Sequence, residues 1–179
     1  MTAARPGALS IRTVTLADLE SLIDVYLDTA IHHASVDPAG FRVPARDDVA
    51  VRLRRRIEGR GAAAEYVAAM VDGRMVGSAS VNIQDPLHPG NMMRPVPAAE
   101  FGVSVLEDWR GRGIGRALIQ HVEGWAADRG IERMLLSVSE GNEGAIRLYR
   151  SIGYAESGRE MRKDLTAPNG PDSILDDHR

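Results

Sequence analysis

The chain has no cysteine and a single lysine, Lys163, among its 179 residues. The first absence excludes disulfides, thiolate metal sites and a covalent acyl-cysteine intermediate. The second excludes a Walker A phosphate loop, which needs Gly-Lys-Ser/Thr. No apolar run approaches the ~20 residues that cross a bilayer. The stretch from Met1 to Ser10 lacks a basic-then-apolar leader pattern. Charge of one sign is scarce as well. The net charge is −3, and no like-charge block is long enough to form a tail, which argues against a dedicated nucleic-acid binder. A soluble cytoplasmic protein with neither a membrane nor a nucleic-acid partner is expected. The basic run from Arg52 to Arg56 reads as the solvated face of an amphipathic helix.

What is present suffices for a core, since 44% of the residues are hydrophobic and the length suits one domain. Leu9 to Val14 alternates like a strand. Thr15, with Asp18 three residues on, caps a helix whose stripe is Leu16, Leu19, Ile23, Tyr26, Leu27 and Ala30. His32 to Pro44 reads as a loop. Val49, Leu53 and Ile57 mark a second helix that stops near Gly59. Glu65–Val71 and Met75–Ile83, separated by Asp72-Gly73, form a hairpin signal. Gln84 to Ala98 carries Pro86, Pro89, Pro95 and Pro97 and is a long loop.

Ala99–Leu106 is a strand, and Gly113–Arg129 is a helix with Ile114, Leu118, Val122 and Trp125 inward. Arg133–Ser139 is a buried-type strand. Asn142 caps a short helix with Ala145, Leu148, Tyr149 and Ile152 on one face, ended by Gly153. Tyr154–Leu165 is a further strand, and Ser173–Asp176 could add a last short one. The order β-α-α-β-β-β-α-β-α-β predicts the α+β class, with a mixed, mostly antiparallel sheet and helices on both faces. Residues 1–165 are expected to form the single domain, with 166–179 as a tail.

Two segments carry chemistry. The first is Arg110-Gly111-Arg112-Gly113-Ile114-Gly115-Arg116-Ala117, between a strand-like and a helix-like run. Alternating glycines at a helix start aim unpaired N–H groups and the positive end of the helix dipole at one spot, which suits a phosphate. The dinucleotide fingerprint G-x-G-x-x-G is not met, because Leu118 stands three residues after Gly115. The second segment, Asn142 to Tyr154, reads N-x-x-A-x-x-L-Y-x-x-x-G-Y. By periodicity alone Tyr149 belongs to the core stripe and Asn142 is an N-cap.

Together, in this order and with a strand-like run between them, the two segments resemble the GCN5-related N-acetyltransferase (GNAT) superfamily. Arg110, Gly113 and Gly115 match that family's Q/R-x-x-G-x-G/A motif, and the region of likeness runs from about Glu100 to Tyr154. The resemblance implies acetyl-CoA as cofactor and direct acetyl transfer to a primary amine of a small molecule, amino acid or peptide. It assigns the pyrophosphate to the backbone of residues Arg110 to Ala117. It assigns the pantetheine arm to the backbone of Val103 and Val105, with a further contact from Asn142.

In the family the strand matching Ala99–Leu106 carries a bulge, for which Gly102 is a suitable place, and splays from the strand matching Arg133–Ser139. Tyr149 is the implied general acid. Glu100 is the candidate general base, with Glu140 and His33 in reserve. The adjacent pair His32-His33 points two ways and makes a poor metal site, so no metal is expected. In the proline-rich loop, Asp85 and His88 could meet a polar amine. A non-catalytic acyl-CoA-binding regulatory module is the alternative. An edge strand near the C-terminus leaves room for a homodimer.

Overall fold

The computed structural model describes residues 7–87 and 91–158. His88, the expected strand beyond Gly158 and the expected short strand at Ser173–Asp176 lie outside the described residues. The elements are β1 (Ser10–Thr13), α1 (Leu19–Val36), α2 (Arg46–Glu58), β2 (Ala64–Val71), β3 (Arg74–Ile83), β4 (Ala98–Val105), α3 (Ile114–Ala127), β5 (Arg133–Leu135) and α4 (Glu143–Ser151). Short 3-10 turns precede α1 at Leu16–Asp18 and follow β4 at Glu107–Trp109.

The strands form one sheet in the order β1-β2-β3-β4-β5. The first three pairings are antiparallel and the last, β4 with β5, is parallel. The mixed α+β class read from the sequence is the one observed. Asp72 and Gly73 both take positive φ, 50° and 77°, the signature of a two-residue hairpin turn whose twist matches its strands.

Alternation along the strands fills two cores, one on each face of the sheet. On one face Val67, Ala69, Val76, Ala79, Val81, Ala99 and Phe101 pack against Ile114, Leu118, Ile119 and Val122 of α3. On the other, Tyr66, Ala68 and Met75 pack against Leu22, Ile23 and Val25 of α1 and Val49, Leu53 and Ile57 of α2. Burying each Leu, Ile or Val contributes about 1.5–3 kcal/mol before the entropy of ordering it. At the N-terminus of α1, Asp18 accepts from the Thr15 N–H (2.8 Å) and pairs with both terminal nitrogens of Arg12 (2.8 and 2.7 Å). The capping expected of Thr15 and Asp18 is therefore realised.

Four expectations are corrected. Helix α1 continues to Val36, so His32 and His33 are helical rather than in a loop; no proline intervenes before Pro38, and the Asp37 N–H closes on the His33 carbonyl (2.9 Å). The strand expected over Arg133–Ser139 pairs only at Arg133–Leu135, where its ladder with β4 stops. Tyr154 to Gly158 lies outside any strand. Gly102 sits in unbroken register opposite Ser80, and the only register shift in the sheet's described pairings is at Ala69/Met70.

Candidate active site

The site is built where β4 and β5 part. Their parallel pairing runs Ala98↔Arg133, Ala99↔Met134, Glu100↔Leu135 and then stops. The hydrogen-bond parity of β4 follows from its flanks. The Gln84 N–H donates to the Ala98 carbonyl (2.8 Å) and the Leu106 N–H to the Val76 carbonyl (3.0 Å), so even-numbered residues of β4 bond to β3. The odd-numbered ones turn their amides to the other edge. Val103 and Val105, past the end of the β5 pairing, thus present main-chain groups to an open gap. The Val105 carbonyl is already used, because the Arg110 Nε donates to it (3.0 Å).

The glycine turn lies at the end of β4, on the α3 face. Gly111 and Gly113 are left-handed (φ 73° and 80°), a conformation that costs a side-chain-bearing residue about 1–2 kcal/mol. Nothing lies within 4 Å of where a Cβ would stand at either, so the space in front of the turn is open. Gly113 is the N-cap of α3, and the first backbone bond of the helix runs from the Ala117 N–H to the Gly113 carbonyl (3.0 Å). The N–H groups of residues 111–116 precede that bond, as a helix start requires. That of Ala117, which the sequence placed with them, is spent.

The three arginines divide. Arg110 pairs with Asp28 of α1 (2.8 Å), which also accepts from the Glu107 N–H (3.4 Å). Arg112 sits over the Trp109 ring at 4.8 Å. Arg116 donates to Ser151 of α4 (2.9 Å). Gly115 faces α4: a Cβ there would stand 3.3 Å from Leu148. The Ile114 side chain is buried in the core.

Helix α4 closes the same face. The Asn142 Oδ1 accepts from the Ala145 N–H (3.2 Å), so its capping role is observed. Tyr149 is half-buried and packs edge-on against Phe101 (centroids 6.2 Å apart) and Tyr154 (5.9 Å). Burial pushes its phenol above the usual range. Tyr154 donates to Glu123 (2.8 Å), and desolvation with that hydrogen bond raises its phenol further.

Through the gap, on the α1/α2 face, a cleft of about 290 Å³ opens. Its floor is Ser78, Ser80, Gly102 and Ser104, and its walls include Tyr26, Thr29, His33, Phe41, Arg42, Arg56 and Tyr66. His33 stacks on Phe41 (centroids 4.9 Å apart). Burial, with the nearby His32 and Arg110 charges, lowers its pKa. It is therefore neutral near pH 7. Glu100 is exposed on this face of β4, next but one to Gly102. Glu140 is exposed in the turn before α4, apart from the cleft. A second depression, about 390 Å³, lies along β5 and the end of α4.

The cleft residues on α2, β2 and β3 were not singled out by the sequence. Two signals were available: Ser78 and Ser80, polar at alternate positions of an otherwise apolar strand, and the one-turn spacing of Arg52 and Arg56.

The profile of the acetyltransferase (GNAT) family matches residues 28–154. The chain belongs to the GNAT family. Among its relatives, the uncharacterized N-acetyltransferase YdgE of Bacillus subtilis is 36% identical over 81 residues, 45% of this chain and 48% of that protein. The aminoglycoside N(6′)-acetyltransferase type 1 of Stenotrophomonas maltophilia is 31% identical over 96 residues, 54% of this chain and 62% of that protein. The chain thus spans about half the length of the curated relatives it matches. The aminoglycoside N-acetyltransferase AAC(6′)-Iy, solved in complex with CoA, shares the fold: TM-score 0.66 at 21% identity, covering 93% of this chain and 100% of that one. Among the described residues no helix is long and apolar enough to cross a membrane, and no group of three metal-ligating side chains occurs.

Proposed function

We propose that this GNAT chain is an acetyl-CoA-dependent N-acetyltransferase acting directly on a primary amine. The observation that carries the reading is the split between β4 and β5, with a turn of unpaired N–H groups at one end and a cleft on the opposite face. Family membership and the CoA complex of a protein with the same fold support the choice of cosubstrate. The amides of residues 111–116 bind the pyrophosphate, with Arg112 and Arg116 adding charge. The Val103 amide and carbonyl and the Val105 N–H pair with the pantetheine arm as an added strand would. Asn142 keeps its Nδ2 for a further contact with the arm.

Acetyl-CoA supplies the thioester. The acceptor's nitrogen forms the new C–N bond as the C–S bond breaks, so one proton leaves the amine and one must reach the sulfur. Tyr149 donates to the sulfur. Glu100, through a water, takes the proton from the amine. A second base is favoured by one observation: neutral His33 lines the cleft itself. The reading places a single catalytic domain at residues 1–165, in the cytoplasm, with no nucleic-acid partner.

The test is calorimetric titration with acetyl-CoA, with NADH as the control ligand, followed by release of free thiol on adding amines. Stoichiometric binding of acetyl-CoA alone, and thiol release with an amine, are expected. Binding without transfer to any amine would favour a CoA-binding regulatory module. No binding of acetyl-CoA would remove the proposal.

A further inference from the structure

The cleft on the α1/α2 face has a one-sided charge. Among the described residues Arg42 and Arg56 line it, and no Asp or Glu does. Arg52, one helical turn before Arg56, donates to the Tyr26 hydroxyl and lies 5.3 Å from that ring's centroid, behind the wall. Arg56 sits 5.4 Å from the centroid of Tyr66. The run from Arg52 to Arg56 is therefore not only a solvated face. Arg54 approaches Glu58 (4.0 Å), whereas Arg52 and Arg56 turn to the two cleft tyrosines.

The surrounding carboxylates are committed elsewhere or stand outside the cleft. Asp28 holds Arg110 (2.8 Å), and Asp37 accepts from the Gly40 N–H (2.9 Å). Glu20 and Asp24 both bind Arg46. Glu100 lies beyond Gly102. Among the described residues neither Arg42 nor Arg56 has a carboxylate partner.

We infer that the acceptor is a small primary amine that also carries an anionic group, a carboxylate or a phosphate, held by Arg42 and Arg56. The inference rests on the acetyltransferase reading and specifies its acceptor. A guanidinium matches either anion through paired N–H donors. A polycationic aminoglycoside would instead set its ammonium groups against two guanidinium groups, with no carboxylate among the described lining residues to offset them.

The test uses matched amines: L-methionine against L-methioninamide for the carboxylate, phosphoethanolamine against ethanolamine for the phosphate, and kanamycin as the polycation. Each is measured by thiol release and by calorimetric binding to the protein loaded with CoA. An anionic member preferred about tenfold or more, in kcat/KM and in Kd, is expected from one charge-assisted pair. Which pair shows the preference separates carboxylate from phosphate. Arg56→Gln should abolish the preference, and Arg56→Lys should keep most of it. Both variants should hold the acetyl-CoA Kd within about twofold, since Arg56 lies on the face away from the turn. Neutral or polycationic amines bound and acetylated as well as the anionic ones, no binding of any anionic member, or an intact preference in Arg56→Gln would each overturn the inference. Failure to bind acetyl-CoA would instead overturn the acetyltransferase reading, and this inference with it.

Discussion

Packing and the proposed chemistry meet at Tyr149. Its ring contacts Phe101, on β4 where the pairing with β5 ends, and burial keeps its hydroxyl protonated near neutral pH. In the proposed reaction this protonated phenol donates to the sulfur as negative charge develops there. Tyr149→Phe removes only the hydroxyl. It should slow kcat by about tenfold to a hundredfold while leaving the acetyl-CoA Kd unchanged, checked by turnover under saturating substrate and by calorimetry. The two candidate bases are separated in the same assay. Glu100→Gln should lower kcat/KM by at least about tenfold, and an unaltered value would transfer the role to His33. The family resemblance pointed to Tyr149, which periodicity alone would leave in the core stripe. The sequence set Glu100 ahead of His33 without indicating that His33 lines the cleft, because that depends on which helix wall faces which strand.

At the scale of elements, the pattern from Asn142 to Tyr154 has a physical account. Asn142 caps α4, and Gly153, at φ 100°, ends it. The Gly153 N–H closes on the Arg150 carbonyl (3.2 Å) and the Tyr154 N–H on the Tyr149 carbonyl (3.0 Å). This is a Schellman ending, which favours an apolar contact between the two residues it brackets. The Tyr149–Tyr154 ring pair is that contact. Much of the motif therefore builds a short helix that presents one hydroxyl.

The turn before α3 is set by conformation in the same way, and its glycines were legible because positive φ narrows the choice of residue. Gly113→Glu combines a strained left-handed side chain with a negative charge at the anion site. It should raise the acetyl-CoA Kd by at least about a hundredfold, read by calorimetry, with circular dichroism to verify folding. A normal Kd would remove the pyrophosphate assignment. Helix α1 was harder to bound. His32 and His33 add nothing to an apolar stripe, so its last turns are visible only as a backbone bond from Asp37 to His33.

The whole molecule is a sheet with different business on each face, joined by a slit. The α3/α4 face carries the turn and Tyr149, and the α1/α2 face carries the cleft. Local pattern indicated the order of elements and the two-sided core. The cleft was not legible, because its walls come from a loop, two helices and three strands far apart in the chain. Arg110 links the two faces by joining the turn to Asp28 of α1.

Among the described residues, two groups with lowered pKa values link the fold to acid. His33 has a folded pKa below its ordinary 6.5, so stability is lost as pH falls from about 6.5 toward the lowered value. Asp18, held well below its ordinary 3.8 chiefly by Arg12, adds a loss only below about pH 4. The melting temperature should thus fall as the pH drops below about 6.5 and fall again in stronger acid. His33→Gln should flatten the first decline, and a melting temperature that rises as the pH drops below about 6.5 would contradict the lowered pKa of this half-buried imidazole.

The edge of β4 at Val103 and Val105 carries a consequence for inheritance. Its donors and acceptors are peptide groups, the same whatever side chain stands there. Such a slot is nearly immune to substitution and leaves almost no trace in residue identity, while the cleft across the sheet, made of side chains, is open to revision one codon at a time. Only proline, which has no N–H to offer, erases a donor from that edge at a stroke.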